Sequence, residues 1–190
     1  MNRTVFQLAR RFAWLLPVLL LVAFAGPKLK KTQITKNLTV GVPEDFTVLP
    51  DDAIAVKYPA PRKPLAVFSN PAGRVDFSVA SKQTTFTNKD YALLLKVYES
   101  NLQRTYSKVD FIARDIKTVN KRDFMVLEFV STLTDTRRGR EMMAPLKRYQ
   151  LMYYCIEGDQ LYVFHFNSPT EEQPKYQPVA QQIMQSIQLK

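Results

Sequence analysis

The sequence predicts an α+β fold, an α/β/α sandwich with a mainly antiparallel sheet covered by helices 88–106 and 177–188. Three observations point there. Four strand-like runs, 110–119, 123–133, 147–157 and 160–166, follow one another, with tight-turn candidates at Asn120-Lys121 and Gly158-Asp159. The two middle runs place apolar residues on both alternating faces, as a sheet covered on both sides requires. Two further stretches repeat apolar residues at helical spacing, so each has a stripe to bury.

The totals fit one globular domain with a leader. The chain has 190 residues, 46% of them hydrophobic, and nine Tyr and twelve Phe favour sheet over a helix bundle. Residues 1–11, MNRTVFQLARR, hold Arg3, Arg10 and Arg11 and no acid, and residues 12–26, FAWLLPVLLLVAFAG, hold no charge. With Ala23-Phe24-Ala25 as a small-x-small cleavage candidate, this is the layout of an export signal. The apolar run is broken by Pro17 and falls short of the ~20 residues that span a bilayer. Export to the periplasm or cell envelope is the expectation. Lys28, Lys30, Lys31 and Lys36 follow the apolar run and nearly balance the arginines before it. The alternative is therefore an anchor at 12–26 with the domain facing the cytoplasm. The expected organisation is a signal peptide or signal anchor at 1–25, a basic linker at 26–37 and a folded domain at 38–190.

Within the domain, LTVGVP at 38–43 reads as a strand, an acidic loop follows, and a second strand is expected near 54–58. Residues 65–83 read as a hairpin. Asn70-Pro71-Ala72-Gly73 has the residues a type I turn prefers, and Val75, Phe77 and Val79 alternate with polar neighbours beyond it. In the helix at 88–106, Tyr91, Leu94, Leu95, Tyr98, Leu102 and Tyr106 form the stripe, and Thr87 or Asn88 can cap its start. After Pro174, Tyr176, Val179, Ala180, Ile183, Met184 and Ile187 form the stripe of the last helix, with Pro178 in its first turn. Residues 134–146 are the longest internal loop.

Candidate chemistry is sparse. His165, the only histidine, sits in LYVFHFNSP (161–169), and Cys155 is the only cysteine, which excludes an intramolecular disulfide. Counting outward from the turn at Gly158-Asp159 puts Cys155 opposite Tyr162 and His165 opposite Met152, too far apart for a thiol–imidazole pair. His165 is expected to be a strand residue. Glu44, Asp45, Asp51 and Asp52 lack the ligand spacing of a calcium loop and read as solvated. Asn37-Leu38-Thr39 matches a glycosylation sequon, meaningful only in a eukaryotic secretory pathway. No phosphate loop, dinucleotide fingerprint, nucleophile elbow or metalloprotease signature is present, and neither a cofactor nor a metal is expected.

The net charge of +10 falls to +7 without the leader, a size that bears on solubility and anionic surfaces rather than on fold. The clearest basic cluster, Arg137, Arg138, Arg140, Lys147 and Arg148 beside Met142 and Met143, is the candidate contact with a protein partner or an anionic membrane surface. No reader motif accompanies the charge, so nucleic acid is not an expected partner.

The order of elements resembles the PsbP-like superfamily, which takes in photosystem II extrinsic protein PsbP, the Ran-binding release factor of nuclear import and DcrB-type bacterial envelope proteins. The resemblance spans about residues 38–189 and rests on VPEDF (42–46), SNPAG (69–73), EGDQLYVFHFNSP (157–169) and AQQIMQSIQLK (180–190). Phe166-Asn167 and Met184-Gln185-Ser186-Ile187 match the strand exit and helix end that recur there. The resemblance implies a sandwich used as a docking module, and the leader is most similar to the bacterial envelope members. The expected function is thus a non-enzymatic binding or assembly accessory of the envelope. The alternatives are an unrecognised small-molecule-binding enzyme and an anchored domain with a cytosolic protein partner.

Overall fold

In the computed structural model, which describes residues 27–58, 63–134 and 144–190, two antiparallel sheets share the work of enclosing the core. Strands β1 (Leu29–Thr35) and β2 (Leu38–Pro43) form a hairpin, and β3 (Thr47–Val48) and helix α1 (Asp51–Lys57) follow. Next come β4 (Ala66–Ser69), β5 (Asp76–Gln83) and helix α2 (Tyr91–Thr105). Four long strands then run as a meander: β6 (Lys108–Val119), β7 (Arg122–Leu133), β8 (Leu146–Glu157) and β9 (Gln160–Pro169). Helix α3 (Gln173–Gln185) and β10 (Gln188–Leu189) close the chain. The large sheet has the order β3-β4-β5-β9-β8-β7-β6, and the small one has β1-β2-β10.

Alternation along each central strand makes the large sheet two-sided. Phe124 and Val126 of β7, Tyr149, Leu151 and Tyr153 of β8, and Phe164 and Phe166 of β9 join the core built on Tyr176, Val179, Ile183 and Met184 of α3. The small sheet covers the same face through Leu38, Val40 and Val42. Met125, Leu127 and Phe129 point the other way, with Tyr154 and Leu161, against Tyr91 and Leu94 of α2. Burying each such Leu or Phe stabilises the fold by about 1.5–3 kcal/mol. The sandwich of antiparallel sheet and helices is thus the fold the sequence predicts.

Local chemistry explains the boundaries. Thr87 and Asp90 form a reciprocal cap at a 3-10 turn that leads into α2. The β6–β7 turn places Asn120 at φ 48° and Lys121 at φ 68°, the left-handed pair that a two-residue hairpin needs. Ser186 ends α3 and ties it to the small sheet, since its hydroxyl accepts the Gly41 N–H at 2.7 Å and donates to the Ile183 carbonyl at 2.6 Å. A Cβ at Gly41 would lie 2.9 Å from that hydroxyl, so glycine is needed there. On the same face Glu128 is buried with no cationic partner among the described residues. It accepts hydrogen bonds from the Tyr149 hydroxyl (2.9 Å), Gln177 Nε2 (2.6 Å) and Gln181 Nε2 (2.9 Å), which clamp α3 to the sheet.

Five elements differ from expectation. The strand expected near 54–58 is helix α1, because Asp51 and Asp52 in its first turn and Lys57 in its last suit the helix dipole and only Ile54 is buried. The stretch expected as a linker, 26–37, contains β1, whose exposed Lys30 and Lys31 mask inward-facing Leu29 and Ile34. Helix α3 starts at Gln173 and stops at Gln185, not 177–188, because Pro174 sits in its first turn, where no N–H is required. The two-residue strands β3 and β10 are too short to leave an alternating pattern. No helix among the described residues is long and apolar enough to cross a membrane, and the leader lies outside them.

Candidate functional site

The face of the large sheet that carries α2 is apolar only beneath that helix. Toward α1 it becomes a floor of polar side chains supplied by neighbouring strands. Register builds it: Ser69 lies opposite Asp76, Asp76 opposite Asn167 and Asn167 opposite Gln150, one row across β4, β5, β9 and β8. The adjacent row places Ser78 opposite His165 and His165 opposite Met152.

At one end of the floor, Asp76 is buried with its side chain 3% exposed. Its Oδ1 accepts from Lys57 Nζ (2.7 Å) and Ser69 Oγ (2.7 Å), and its Oδ2 from the Tyr58 hydroxyl (3.0 Å). Burial and the Asp76 charge raise the Tyr58 hydroxyl well above the ordinary tyrosine range, so it stays a donor. These bonds fasten the end of α1 to the sheet. At the other end, Gln150 Nε2 donates to Ser131 Oγ (2.6 Å) and to the Tyr106 hydroxyl (3.1 Å), just beyond the end of α2. Gln150 Oε1 is left to accept from His165 Nε2 at 2.9 Å, which assigns the Nε2–H tautomer. Burial lowers the imidazole to about 4, so His165 is neutral near pH 7.

Between these ends lies Arg148, half-buried. Its Nε donates to Asn167 Oδ1 at 2.6 Å and its Nη2 to the Arg74 carbonyl at 3.0 Å. That carbonyl is itself held in place, because Asn70 Oδ1 accepts the N–H groups of Arg74 (3.0 Å) and Val75 (3.1 Å) across the β4–β5 turn. Both acceptors are neutral, so the described contacts hold the guanidinium without neutralising it.

Cys155 takes no part in the floor. It pairs with Tyr162 in the register counted from the sequence and points into the α3-side core, whereas His165 faces the α2 side. Burial pushes its thiol up to about 11, partly offset by the Tyr91 hydroxyl, so a packed sulfhydryl rather than a thiolate lines the nearby cleft of about 310 Å³. Among the described residues no group of three or more His, Cys, Asp or Glu could hold a metal ion. Asp51 and Asp52, expected in an acidic loop, stand on α1 instead.

No protein-family model and no curated relative matches this chain. Solved structures do. Cyanobacterial PsbP (CyanoP) from Synechocystis sp. PCC 6803 superposes with a TM-score of 0.59 over 88% of this chain and 96% of its own, at 13% identity. The chain carries the PsbP-like fold. The Ran-binding protein Mog1p of Saccharomyces cerevisiae shares it, with a TM-score of 0.54 over 86% of this chain and 96% of its own, again at 13% identity. Identity this low conveys the PsbP-like fold and no site residue.

On this PsbP-like scaffold the predicted contact set does not form one surface among the described residues. Arg137, Arg138 and Arg140 lie outside them. Lys147 is exposed, while Arg148, one residue on, points to the opposite face and is engaged in the floor. Asp76, Gln150 and Asn167 escape sequence reasoning. Their trace is that Gln150, His165 and Asn167 interrupt otherwise apolar strands at matching distances from the Gly158-Asp159 turn.

Proposed function

We propose that the protein is a non-enzymatic binding or assembly accessory of the cell envelope, which uses the polar floor and the neighbouring β7–β8 end to hold another protein. The observation that carries this reading is the chemical state of the floor. Its imidazole is neutral and bonded to an amide, its carboxylate is paired with Lys57, and its guanidinium is oriented by neutral acceptors. Such groups recognise and position; the general base and activated nucleophile of a covalent catalyst are missing among the described residues. The fold-sharing Mog1p is by its name a Ran-binding protein, which makes protein docking a fitting use for the scaffold. Lys147, exposed at the β7–β8 end on the face opposite the floor, is proposed to contact the partner there, with Arg137, Arg138 and Arg140, which lie close to it in sequence. The basic, uncharged, small-x-small order of residues 1–25 supports the envelope location.

Two measurements test this. A photo-crosslinker at position 147 of the full chain, activated in cells, is expected to give a discrete protein adduct. Adducts to lipid alone, or none, would overturn the docking reading. Protease digestion of a C-terminally tagged chain in intact spheroplasts is expected to proceed from outside. Protection until the membrane is opened would place the domain in the cytoplasm and end the envelope reading.

A further inference from the structure

We infer that Arg148 and Asn167 form a receptor for a single carboxylate group on the polar floor, where Asn167 lies between Asp76 and Gln150. The inference rests on the docking reading and names the chemistry of what is docked.

Charge comes first. Asp76 is matched by Lys57 at 2.7 Å, and that pair is neutral. His165 contributes no charge near pH 7. Arg148 therefore leaves the floor with one positive charge, and every described contact of its guanidinium is a neutral oxygen. A half-buried cation gives up part of its hydration, and neutral acceptors return only some of it, so an anion completes the site better than water does. One charge suits a carboxylate. A phosphate or sulfate dianion would be half matched and would sit near the Asp76 carboxylate.

Geometry agrees. The guanidinium is fixed before any ligand arrives, by Asn167 Oδ1 at 2.6 Å and the Arg74 carbonyl at 3.0 Å, so little side-chain freedom is lost on binding. Asn167 turns its oxygen to Arg148, which leaves its amide N–H groups as donors beside the guanidinium. Asn167 and Arg148 are both half-buried and therefore accessible. Gln150 and Ser131, by contrast, are buried and bonded to each other, so they close the floor beneath.

The carboxylate can belong to a free acid or to an aspartate or glutamate of a partner, and the test separates these sources. The full chain, held in an uncharged detergent, is titrated at constant ionic strength with propionate and with the capped tripeptide acetyl-Ala-Glu-Ala-amide. Sodium chloride is the control. The readout is the NMR resonances of Arg148 Nε–H and the Asn167 side-chain amide. Both are expected to shift saturably, with half-saturation on the order of millimolar, as suits a single charge-assisted contact. Arg148→Gln should weaken the Asn167 response by about tenfold or more, the loss expected for one charged hydrogen bond. Arg148→Lys should keep part of it. A response to propionate but not the tripeptide assigns a free acid, and a response to the tripeptide assigns an acidic side chain. No saturable shift with either probe, or an Asn167 response unchanged in Arg148→Gln, overturns the inference. Should Arg148→Gln fail to fold, Asn167→Ala read at Arg148 Nε–H serves instead, with several-fold weaker binding expected. Loss of the carboxylate response with the position-147 adduct intact would remove this inference and leave protein docking standing.

Discussion

The two faces of the large sheet solve different problems. Under α3 the packing is aromatic: Phe77, Phe124, Phe164, Phe166, Tyr149 and Tyr153 are buried together, and Glu128 accepts from Tyr149 on the sheet and from Gln177 and Gln181, which hold the helix. On the opposite face the apolar cluster of Met125, Leu127, Phe129, Tyr154 and Leu161 stops at the limit of α2, and polar side chains take over. An extended α2 stripe could have covered that area with Leu or Val. Buried polar groups add little net stability over well-packed apolar ones, and leaving any of them unpaired is costly. The asymmetry separates a face that holds the fold from a face that presents chemistry.

If that division is right, substitutions on the α3 side should cost the most. Phe164 is fully buried there, and Phe164→Ala is expected to lower unfolding free energy by about 3–5 kcal/mol in a denaturant titration, through lost transfer energy plus a cavity. A cost near that of an exposed site would break the comparison. Glu128→Ala comes next. It leaves the Tyr149 hydroxyl and the Gln177 and Gln181 amides without their acceptor, and about 2 kcal/mol should be lost. Hydrogen exchange should speed up in α3 while the amides of α2 keep their protection, because the clamp touches only one helix.

The aromatic face was far easier to foresee than the polar one, for a physical reason. Stripes such as Tyr176, Val179, Ile183 and alternations such as Phe124, Val126 repeat with the period of the backbone itself, so they declare both element and inward face. Even the β8–β9 register was countable, since Gly158 at φ 60° fixes the turn and a tight turn leaves no freedom in pairing. The floor has no such period. Asp76, Asn167 and Gln150 are far apart in sequence and meet only because two registers align. Helix α1 misled for a related cause: Ala-Ile-Ala-Val at 53–56 alternates like a strand, while the acidic pair before it and the lysine after it favour a helix. Arg148 does more than its place in the basic cluster reveals: alternation along β8 sends Lys147 and Arg148 to opposite faces, and Arg148 alone of the two reaches the floor.

The finest test of the comparison is its pH dependence. His165 has its imidazole lowered from 6.5 to about 4 in the folded protein, chiefly by burial, while the unfolded chain keeps the ordinary value. Above about pH 6.5 the ring is neutral in both states and affects stability equally. As pH falls from there toward about 4, the unfolded chain takes up a proton that the folded protein refuses, so stability is lost across that window and not above it. By about pH 5.5 the loss should reach about 1 kcal/mol, the worth of a little under one pKa unit. His165→Gln keeps an amide to bond Gln150 and cannot titrate, so its stability curve between about pH 6.5 and about pH 5.5 should be flatter than the wild type's by that amount. The ring resonances should follow, showing no protonation in the folded protein until the pH nears about 4. Parallel curves for wild type and variant would mean that the imidazole titrates in the fold as freely as in water. The polar floor would then be an open, hydrated surface, and the contrast between the two faces would reduce to one of exposure.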